Sequence, residues 1–307
     1  MIDLLRALAE LARPPSRLTP RLAAALELPA PPTASDHHQL FGLQLYPYAS
    51  VQVGPEGMLG GEARDLVAGF GRAVGLAPGA EPDHISSLLE GYAALVERAS
   101  NPAPTRIQER WQHARGVLLW EHLLSWMPIY LDRVEALAPP AYVSWAGSLK
   151  EVLSAEAETC GPPPVLPLCL RSAPALDLKG GVQEERNWRA LLIPSRSGAI
   201  ICRQDLARAA RELGLGLRRG ERAFILEALL AQDRTGLRHW LGTEFEVRAT
   251  SYRSAGALAP ILAHWRGRAQ ETARQLQAGY DSLEPPGELP GEPATSGRDL
   301  LGARQRR

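Results

Sequence analysis

The stretch His122-Leu123-Leu124-Ser125-Trp126-Met127-Pro128 lies inside an apolar-periodic run that covers residues 104–137. A second stretch, Glu81-Pro82-Asp83-His84, opens another run of the same kind. In both runs apolar residues recur three and four positions apart, which is the spacing of a helix with one buried face. Proline is tolerated at a helix start but not in its interior. We therefore predict a helix that begins near Pro82 and a long helix broken or bent at Gly116 or Pro128.

Helical patterns also dominate the rest of the chain, and prolines and glycines separate them. Residues 47–61 lack periodicity and predict a loop. Residues 188–201 are short, apolar and partly β-branched, and they fit either an extended segment or an irregular cover over the core. No long alternating series of strands occurs, so the predicted fold class is all-α. Further helices are predicted near 4–11, 20–26, 35–45, 62–74, 141–158, 205–213, 221–231, 236–252 and 257–280.

A segment rich in proline and glycine divides the chain at residues 160–185, and this composition is typical of a linker. We expect a main helical core over residues 1–159 and a second helical region over residues 186–280. The tail, residues 281–307, is rich in proline and glycine and is predicted to be disordered. The predicted architecture is therefore a helical bundle with an added helical C-terminal region.

The composition excludes several classes of protein. The hydrophobic fraction is 45%, the charged fraction is 22% and the net charge is +0, so no overall field favours nucleic acid. The three cysteines are odd in number and form no CxxC pair, which indicates a reducing compartment. The N-terminus has no secretory signal pattern, and no stretch reaches the roughly 18 apolar residues of a membrane span. We expect a cytoplasmic protein with no membrane insertion.

No catalytic or cofactor-binding constellation stands out. His37 and His38 are adjacent, so they point to different helix faces and make a poor metal chelate. The glycine-rich stretch 57–61 follows no predicted strand and lacks the lysine of a phosphate loop. Ser195 has no neighbouring base. We therefore predict a protein that is not an enzyme and needs no cofactor or metal.

The order of several motifs resembles the TorD/DmsD, or NarJ-like, family of redox-enzyme maturation chaperones over about residues 35–150. The matching pieces are Leu40-Phe41, the turn Pro47-Tyr48-Ala49-Ser50-Val51, Gly57-Met58-Leu59, the Asp83-His84 motif that opens a helix, and His122 to Trp126. One departure is Tyr92-Ala93, where the family often has Phe-Met. The C-terminal region also extends beyond what the smaller chaperones contain.

The resemblance implies an all-helical chaperone that binds the twin-arginine signal peptide of a molybdopterin-dependent oxidoreductase precursor, or its apo form, before export or assembly. Such a peptide carries two guanidinium groups followed by an apolar stretch. Its receptor needs an apolar groove and carboxylates at the rim. The alternative is a helical scaffold or regulatory protein on the same fold with another partner. The resemblance leaves open whether the protein forms a homodimer.

The same resemblance indicates which residues contact the client. Glu81 and Asp83 are expected to be exposed at a helix start, where Asp83 either pairs with a peptide arginine or simply favours the helix dipole. His84 and Trp126 either line the groove or belong to the core.

His122 lies four positions before Trp126, so the two residues are predicted to share one helix face. Tyr48 and Ser50 are candidates for another wall of the groove. Outside this segment, the arginines between 203 and 222 form a stripe. We interpret the stripe as a solvated helical face, with contact to an acidic partner or nucleic acid as the alternative.

Overall fold

The computed structural model of the protein describes residues 1–77, 79–178, 184–253 and 256–281. Over these residues the chain forms sixteen α-helices and no β-strand, which confirms the predicted all-α class. The predicted disordered tail lies outside the described residues from position 282 onward. The helices are α1 (Ile2–Leu11), α2 (Thr19–Ala25), α3 (Ala34–His37), α4 (Ala49–Val53), α5 (Gly61–Ala73), α6 (Ile85–Ser100), α7 (Thr105–Val117), α8 (Met127–Leu137), α9 (Pro140–Cys160), α10 (Leu168–Ser172), α11 (Glu184–Ala190), α12 (Pro194–Ser197), α13 (Arg203–Glu212), α14 (Arg222–Gln232), α15 (Arg234–Ser251) and α16 (Ala259–Asp281).

The long helix predicted over residues 104–137 is interrupted just before Pro128, which is one of the two predicted positions. It consists of α7, a π-helical segment at Leu118–Leu123 and α8. Pro128 is in the first turn of α8, where its missing N–H costs no helical hydrogen bond. The chain therefore changes direction at residues 124–126, and the His122–Pro128 stretch forms this corner.

Antiparallel helix pairs build the N-terminal bundle. Helices α1 and α6 run in opposite directions, because Arg6 pairs with Glu97 at 2.6 Å while Arg13 pairs with Glu90 at 2.8 Å. Helix α6 packs in turn on α7, and α8 packs on α9. These neighbours are joined by short connections, as expected for helical hairpins.

Buried aromatic side chains lock the bundle by hydrogen bonding to backbone carbonyls. The Trp145 indole is fully buried and donates to Leu8 O at 2.9 Å, which ties α9 to α1. The Tyr130 hydroxyl is also fully buried and donates to Leu45 O at 3.0 Å. Because a buried donor without a partner is costly, these bonds specify how the helices are placed.

The two longest C-terminal helices, α15 and α16, form an antiparallel hairpin that packs on the N-terminal bundle. Arg238 donates to Leu276 O at 2.7 Å near one end of the hairpin. In the second turn of α16, Trp265 is fully buried and donates from its indole to Ser125 O at 3.0 Å. One hydrophobic cluster runs from α1 to α16, so the C-terminal region shares the core of the bundle.

A buried ionic cluster joins the same two regions. The Asp205 carboxylate accepts bonds from Arg133 at 2.8 Å to each oxygen and from Arg248 at 3.0 Å. It also accepts from the Cys202 backbone N–H at 2.8 Å, as the N-terminal capping bond of α13. The side chains of Arg133 and Asp205 are both 4% exposed. Helix α8 is thus held to α13 and α15 by charges that water barely reaches.

The segment predicted to be a linker contains buried residues. Residues 168–172 form α10, and Leu170, Leu176 and Leu178 are buried in the hydrophobic cluster. The division of the chain at residues 160–185 into two helical regions stays a prediction.

Residues 188–201 form no extended strand. They include the end of α11 and the short helix α12, followed by Gly198 in a left-handed conformation with φ +88°. Ile200 and Ile201 then run buried without regular structure. This part of the chain is therefore the irregular cover over the core, which was one of the two interpretations of the sequence.

Candidate functional site

The Asp83-His84 motif and the Tyr48–Ser50 turn meet at one junction. Tyr48 and His84 form an isolated antiparallel bridge, next to which Ala49 N donates to Asp83 O at 3.0 Å. The turn leads into α4, a short helix inside the region predicted to be a loop. Five of the seven predicted site residues are thereby brought together, namely Tyr48, Ser50, Glu81, Asp83 and His84.

Asp83 is 2% exposed, so the predicted exposure of this carboxylate is wrong. Its Oδ2 accepts from the Ser50 backbone N–H at 3.1 Å, in the first turn of α4. A carboxylate at a helix N-terminus satisfies a free amide and complements the helix dipole. The Ser50 hydroxyl then accepts from Gly60 N at 3.2 Å. Asp83 and Ser50 therefore hold the loop between α4 and α5 in place.

His84 is 7% exposed and caps α6. Its Nδ1 accepts from Ser86 N at 3.1 Å, and the Tyr48 ring contacts its imidazole edge-on at 4.9 Å between centroids. Burial lowers the pKa of His84 to about 4. The imidazole is neutral at physiological pH, which is the state that can accept the capping bond.

Glu81 is the exposed acid of the motif. Its Oε1 accepts from the Tyr48 hydroxyl at 2.8 Å, so the half-buried tyrosine orients the carboxylate at the surface. Burial, together with this contact, raises the pKa of Tyr48. Glu81 is therefore the member of the motif that can pair with a cation from outside.

His122 and Trp126 lie on different sides of the corner between α7 and α8. Trp126 is fully buried, packs edge-on against Tyr130 at 5.1 Å and donates from its indole to His122 O at 2.8 Å. The His122 ring instead faces Phe70 at 5.3 Å and is half-buried. Burial lowers the pKa of His122 to about 4. Trp126 thus fixes the shape of the corner, while His122 reaches a cavity.

That cavity, called the His122 cavity, has a volume of about 350 Å³ and lies between α5, the corner and α10. Two residues at its edge, Leu66 and Leu168, are 50% and 51% exposed. Half-exposed leucines beside an apolar concavity are typical of a surface that binds a partner. Its walls include Val53, Leu66, Val67, Phe70, His122 and Leu168. Glu121 also lines the cavity, and its carboxylate accepts from Leu168 N at 2.7 Å.

A second cavity of about 330 Å³, called the Glu90 cavity, lies on the other side of α5, against α6. Val67 and Phe70 line both cavities, so α5 separates them. Arg13 and Pro82 line the second cavity together with Glu90, whose carboxylate pairs with Arg13. Glu81 directly precedes Pro82 in the chain.

Sequence reasoning missed the residues of α5 and α10 that line these cavities. The sequence predicted a helix near residues 62–74, and the fold leaves Leu66 half-exposed while Val67 is buried. Leu168 lies in the segment read as a linker. An apolar residue in a proline-rich segment was the only sign of Leu168, and it does not show which cavity the side chain reaches.

No metal centre or membrane span is seen in the described part of the chain. Over residues 1–77, 79–178, 184–253 and 256–281, no group of three or more metal-ligating side chains comes together. His37 lies 3.3 Å from Ala12 O through its Nε2, as part of the packing of α3. None of the described helices is both long and apolar enough to cross a membrane.

The lowered pKa values of His84 and His122 predict a pH dependence of stability. The pKa of His84 falls from 6.5 in the unfolded chain to about 4 in the fold, so the unfolded state binds more protons between these values. The free energy of unfolding should be highest above pH ~6.5 and should fall as the pH drops. At pH ~5 the protonation of His84 should lower it by about 2 kcal/mol, and His122 should act in the same direction. Urea unfolding at pH ~6.5 and at pH ~5 measures this loss of stability.

The control is His84→Asn, which keeps a capping acceptor but does not titrate. This variant should lose less stability than the wild type between the two pH values. An equal loss in both proteins would show that His84 is not a source of the pH dependence.

Comparison with known families and proteins gives one match. Residues 8–131 match the family model described as the nitrate reductase delta subunit. The match begins within α1 and ends within α8, so it includes the corner with His122 and Trp126. The matched family is the NarJ/TorD-like family of chaperones for molybdoenzyme maturation, whose members are non-catalytic. The predicted resemblance is therefore confirmed over these residues. No curated protein and no solved structure matches the chain.

Proposed function

We propose, from the membership of residues 8–131 in the nitrate reductase delta subunit family, that this protein binds the twin-arginine signal peptide of a molybdopterin oxidoreductase precursor at the surface around α5. The bound precursor is held in its apo form until maturation is complete. This proposal is supported by the pair of cavities on the two sides of α5, one with mainly apolar walls and the other lined by the Glu90 carboxylate.

The apolar stretch of the peptide fits the His122 cavity. Leu66 and Leu168 at its rim expose apolar surface to water, and covering this surface with a partner is favourable. His122 is neutral there, so an apolar side chain can approach it without desolvating a charge. Phe70 offers an aromatic wall that both cavities share.

The two arginines of the peptide fit the carboxylates at and beside the Glu90 cavity, which are Glu90 and Glu81. Glu81 presents an exposed carboxylate whose orientation is fixed by Tyr48. Glu90 already holds a guanidinium, that of Arg13, at 2.8 Å. Both side chains of this pair are partly exposed, at 38% and 45%, so the pair contributes little stability and a peptide arginine can replace Arg13.

The remaining predicted site residues act by positioning. Asp83 and Ser50 hold the loop between α4 and α5, and His84 fixes the start of α6. Trp126 holds the His122 carbonyl and the corner of the chain. A client that is held before its export is a cytoplasmic client, so we place the chaperone in the cytoplasm as well.

The test is calorimetry with a synthetic peptide that carries two consecutive arginines followed by an apolar stretch. Leu66→Glu puts a charge at the rim of the His122 cavity without touching the core, and it should weaken binding at least about tenfold. Glu81→Gln should weaken binding by roughly 1–3 kcal/mol, because it removes a charge-assisted contact.

Two comparisons make this test specific. Leu217→Glu is the matched control, since Leu217 is 51% exposed and lies away from both cavities. This variant should bind like the wild type. A peptide with two glutamines in place of the arginines should bind the wild type more weakly. Unchanged affinity in Leu66→Glu would exclude the His122 cavity, and equal affinity for both peptides would exclude the charge pairing.

A further inference from the structure

A third cavity lies between residues 8–131, which match the family model and are called the family domain, and the helical residues from 184 onward, called the C-terminal region. It has a volume of about 540 Å³ and is called the junction cavity. One wall comes from the loop after α4, including Met58 and Leu59. The facing wall comes from the chain around Ile193 and from the first residues of α13 and α14, which are Arg203 and Arg222.

Three arginines line this cavity; Arg189 pairs with Glu227, whereas Arg203 and Arg222 lack acidic partners. Neither Arg203 nor Arg222 forms an ion pair within 4.0 Å among the described side chains, although Glu56 and Glu221 also line the cavity. Arg203 Nε is buried without a hydrogen-bond partner. Arg222 donates to Ile201 O at 2.9 Å, which is an uncharged acceptor.

The position of these arginines adds to the excess of positive charge. Each one is the first residue of its helix, where the helix dipole is already positive and a cation is unfavourable. Burial lowers the pKa of the Arg222 guanidinium, and the nearby charge of Arg203 acts in the same direction. A cavity with two repelling guanidiniums and two helix N-termini favours an anion.

The opposite wall of the cavity is apolar and open to solvent. Met58 is 66% exposed and Leu59 is 59% exposed, and both lie in the loop that Ser50 holds through Gly60. Val51 and Leu192 are buried below them. Inorganic phosphate would leave this wall uncovered, whereas a peptide with an acidic residue between apolar ones would cover it and pair with the arginines.

We propose that the junction cavity binds a carboxylate-bearing apolar peptide segment of a partner protein, with Arg203 and Arg222 pairing the carboxylate and Met58 and Leu59 covering the apolar side chains. This site is distinct from the surface around α5, where the proposed peptide is basic. Met58 and Leu59 come from the family domain and the arginines from the C-terminal region, so the added region supplies the charge of the site. The arginine stripe is therefore divided, with its two ends in a cavity and Arg218 and Arg219 exposed in the loop between α13 and α14, not on the helical face that was predicted.

The experiment measures the affinity of a synthetic peptide, acetyl-Leu-Asp-Leu-Glu-Leu-amide, and of its isostere with asparagine and glutamine. The acidic peptide should bind the wild type at least about tenfold more tightly than the isostere. Arg203→Gln should lose this preference. Met58→Ser should weaken the binding of both peptides. Arg219→Gln is the matched control, because Arg219 is exposed outside the cavity, and it should bind like the wild type.

Two further measurements separate the alternatives. Arg203→Gln should keep or raise the Tm, because it removes a repulsive charge, whereas a structural arginine would lower the Tm. Leu66→Glu should bind the acidic peptide normally, so failure at the α5 surface and failure at the junction cavity are distinguishable. The proposal is overturned if the isostere binds as well as the acidic peptide, if Arg203→Gln binds like the wild type, or if inorganic phosphate displaces the peptide at equal concentration.

Discussion

Replacing Asp205 with alanine should lower the free energy of unfolding by about 3–5 kcal/mol. The carboxylate is 3% exposed and is the shared partner of Arg133 and Arg248. Removing it leaves the Arg133 guanidinium without a carboxylate partner beside Arg248, which stays paired with Glu244, in a region that water hardly reaches. It also removes the cap of Cys202 N. The penalty comes mainly from this stranded charge, because breaking a buried pair costs more than the pair itself contributes.

The measurement is urea unfolding followed by circular dichroism. Asp65→Ala is the control, since Asp65 also pairs with an arginine, Arg64, but its side chain is 72% exposed. This control should change stability by less than about 1 kcal/mol. Because Asp205 links α8 to α13 and α15, the variant should unfold first in the C-terminal helices, as measured by hydrogen exchange. A loss of stability as small as that of the control would mean that the buried cluster is not essential.

Replacing Gly198 with alanine should destabilise the protein by about 3 kcal/mol or more, for two additive reasons. Gly198 has φ +88°, which strains a residue with a side chain. A Cβ built there would also lie 2.2 Å from Ala269 N and 2.6 Å from Arg268 C. Both atoms belong to the backbone of α16, so the new methyl group cannot be accommodated by a side-chain rotation, and the helix must move.

Gly147→Ala is the matched control for this prediction. Gly147 lies inside α9, and a Cβ there meets no atom within 4 Å. Since alanine favours a helix over glycine, this control should be neutral or raise stability by roughly 0.5–1 kcal/mol. Thermal unfolding of both variants gives the comparison. A Gly198→Ala protein with the Tm of the wild type would show that α12 and α16 do not pack as closely as described.

Helix boundaries could be predicted from the sequence because they depend on local chemistry. Pro128 ends one helical run and begins another, and the Asp83-His84 motif does precede a helix, with His84 as its cap. The order of these motifs also indicated the family whose model matches residues 8–131. Such signals are carried by neighbouring residues, so a single sequence is enough to read them.

The candidate site could be predicted only in part, because burial is a property of the packed chain. Asp83 was expected at the surface, but its carboxylate is used by the first turn of α4, a helix that was not predicted. Trp126 lies in the core, since Trp265 reaches Ser125 from a helix 140 positions later in the chain. Leu66 carries no motif and was missed.

The sequence by itself determined the all-α class, the positions of most helices and the family of residues 8–131, because periodicity, proline placement and motif order are local properties. The tertiary structure alone decided which side of each motif faces water. It also brought Arg133 into contact with Asp205 and placed Met58 and Arg203 in the walls of one cavity, although long stretches of chain separate the members of each pair. These placements depend on how the helices pack against each other, and the residue pattern within one helix does not determine which other helix packs on it.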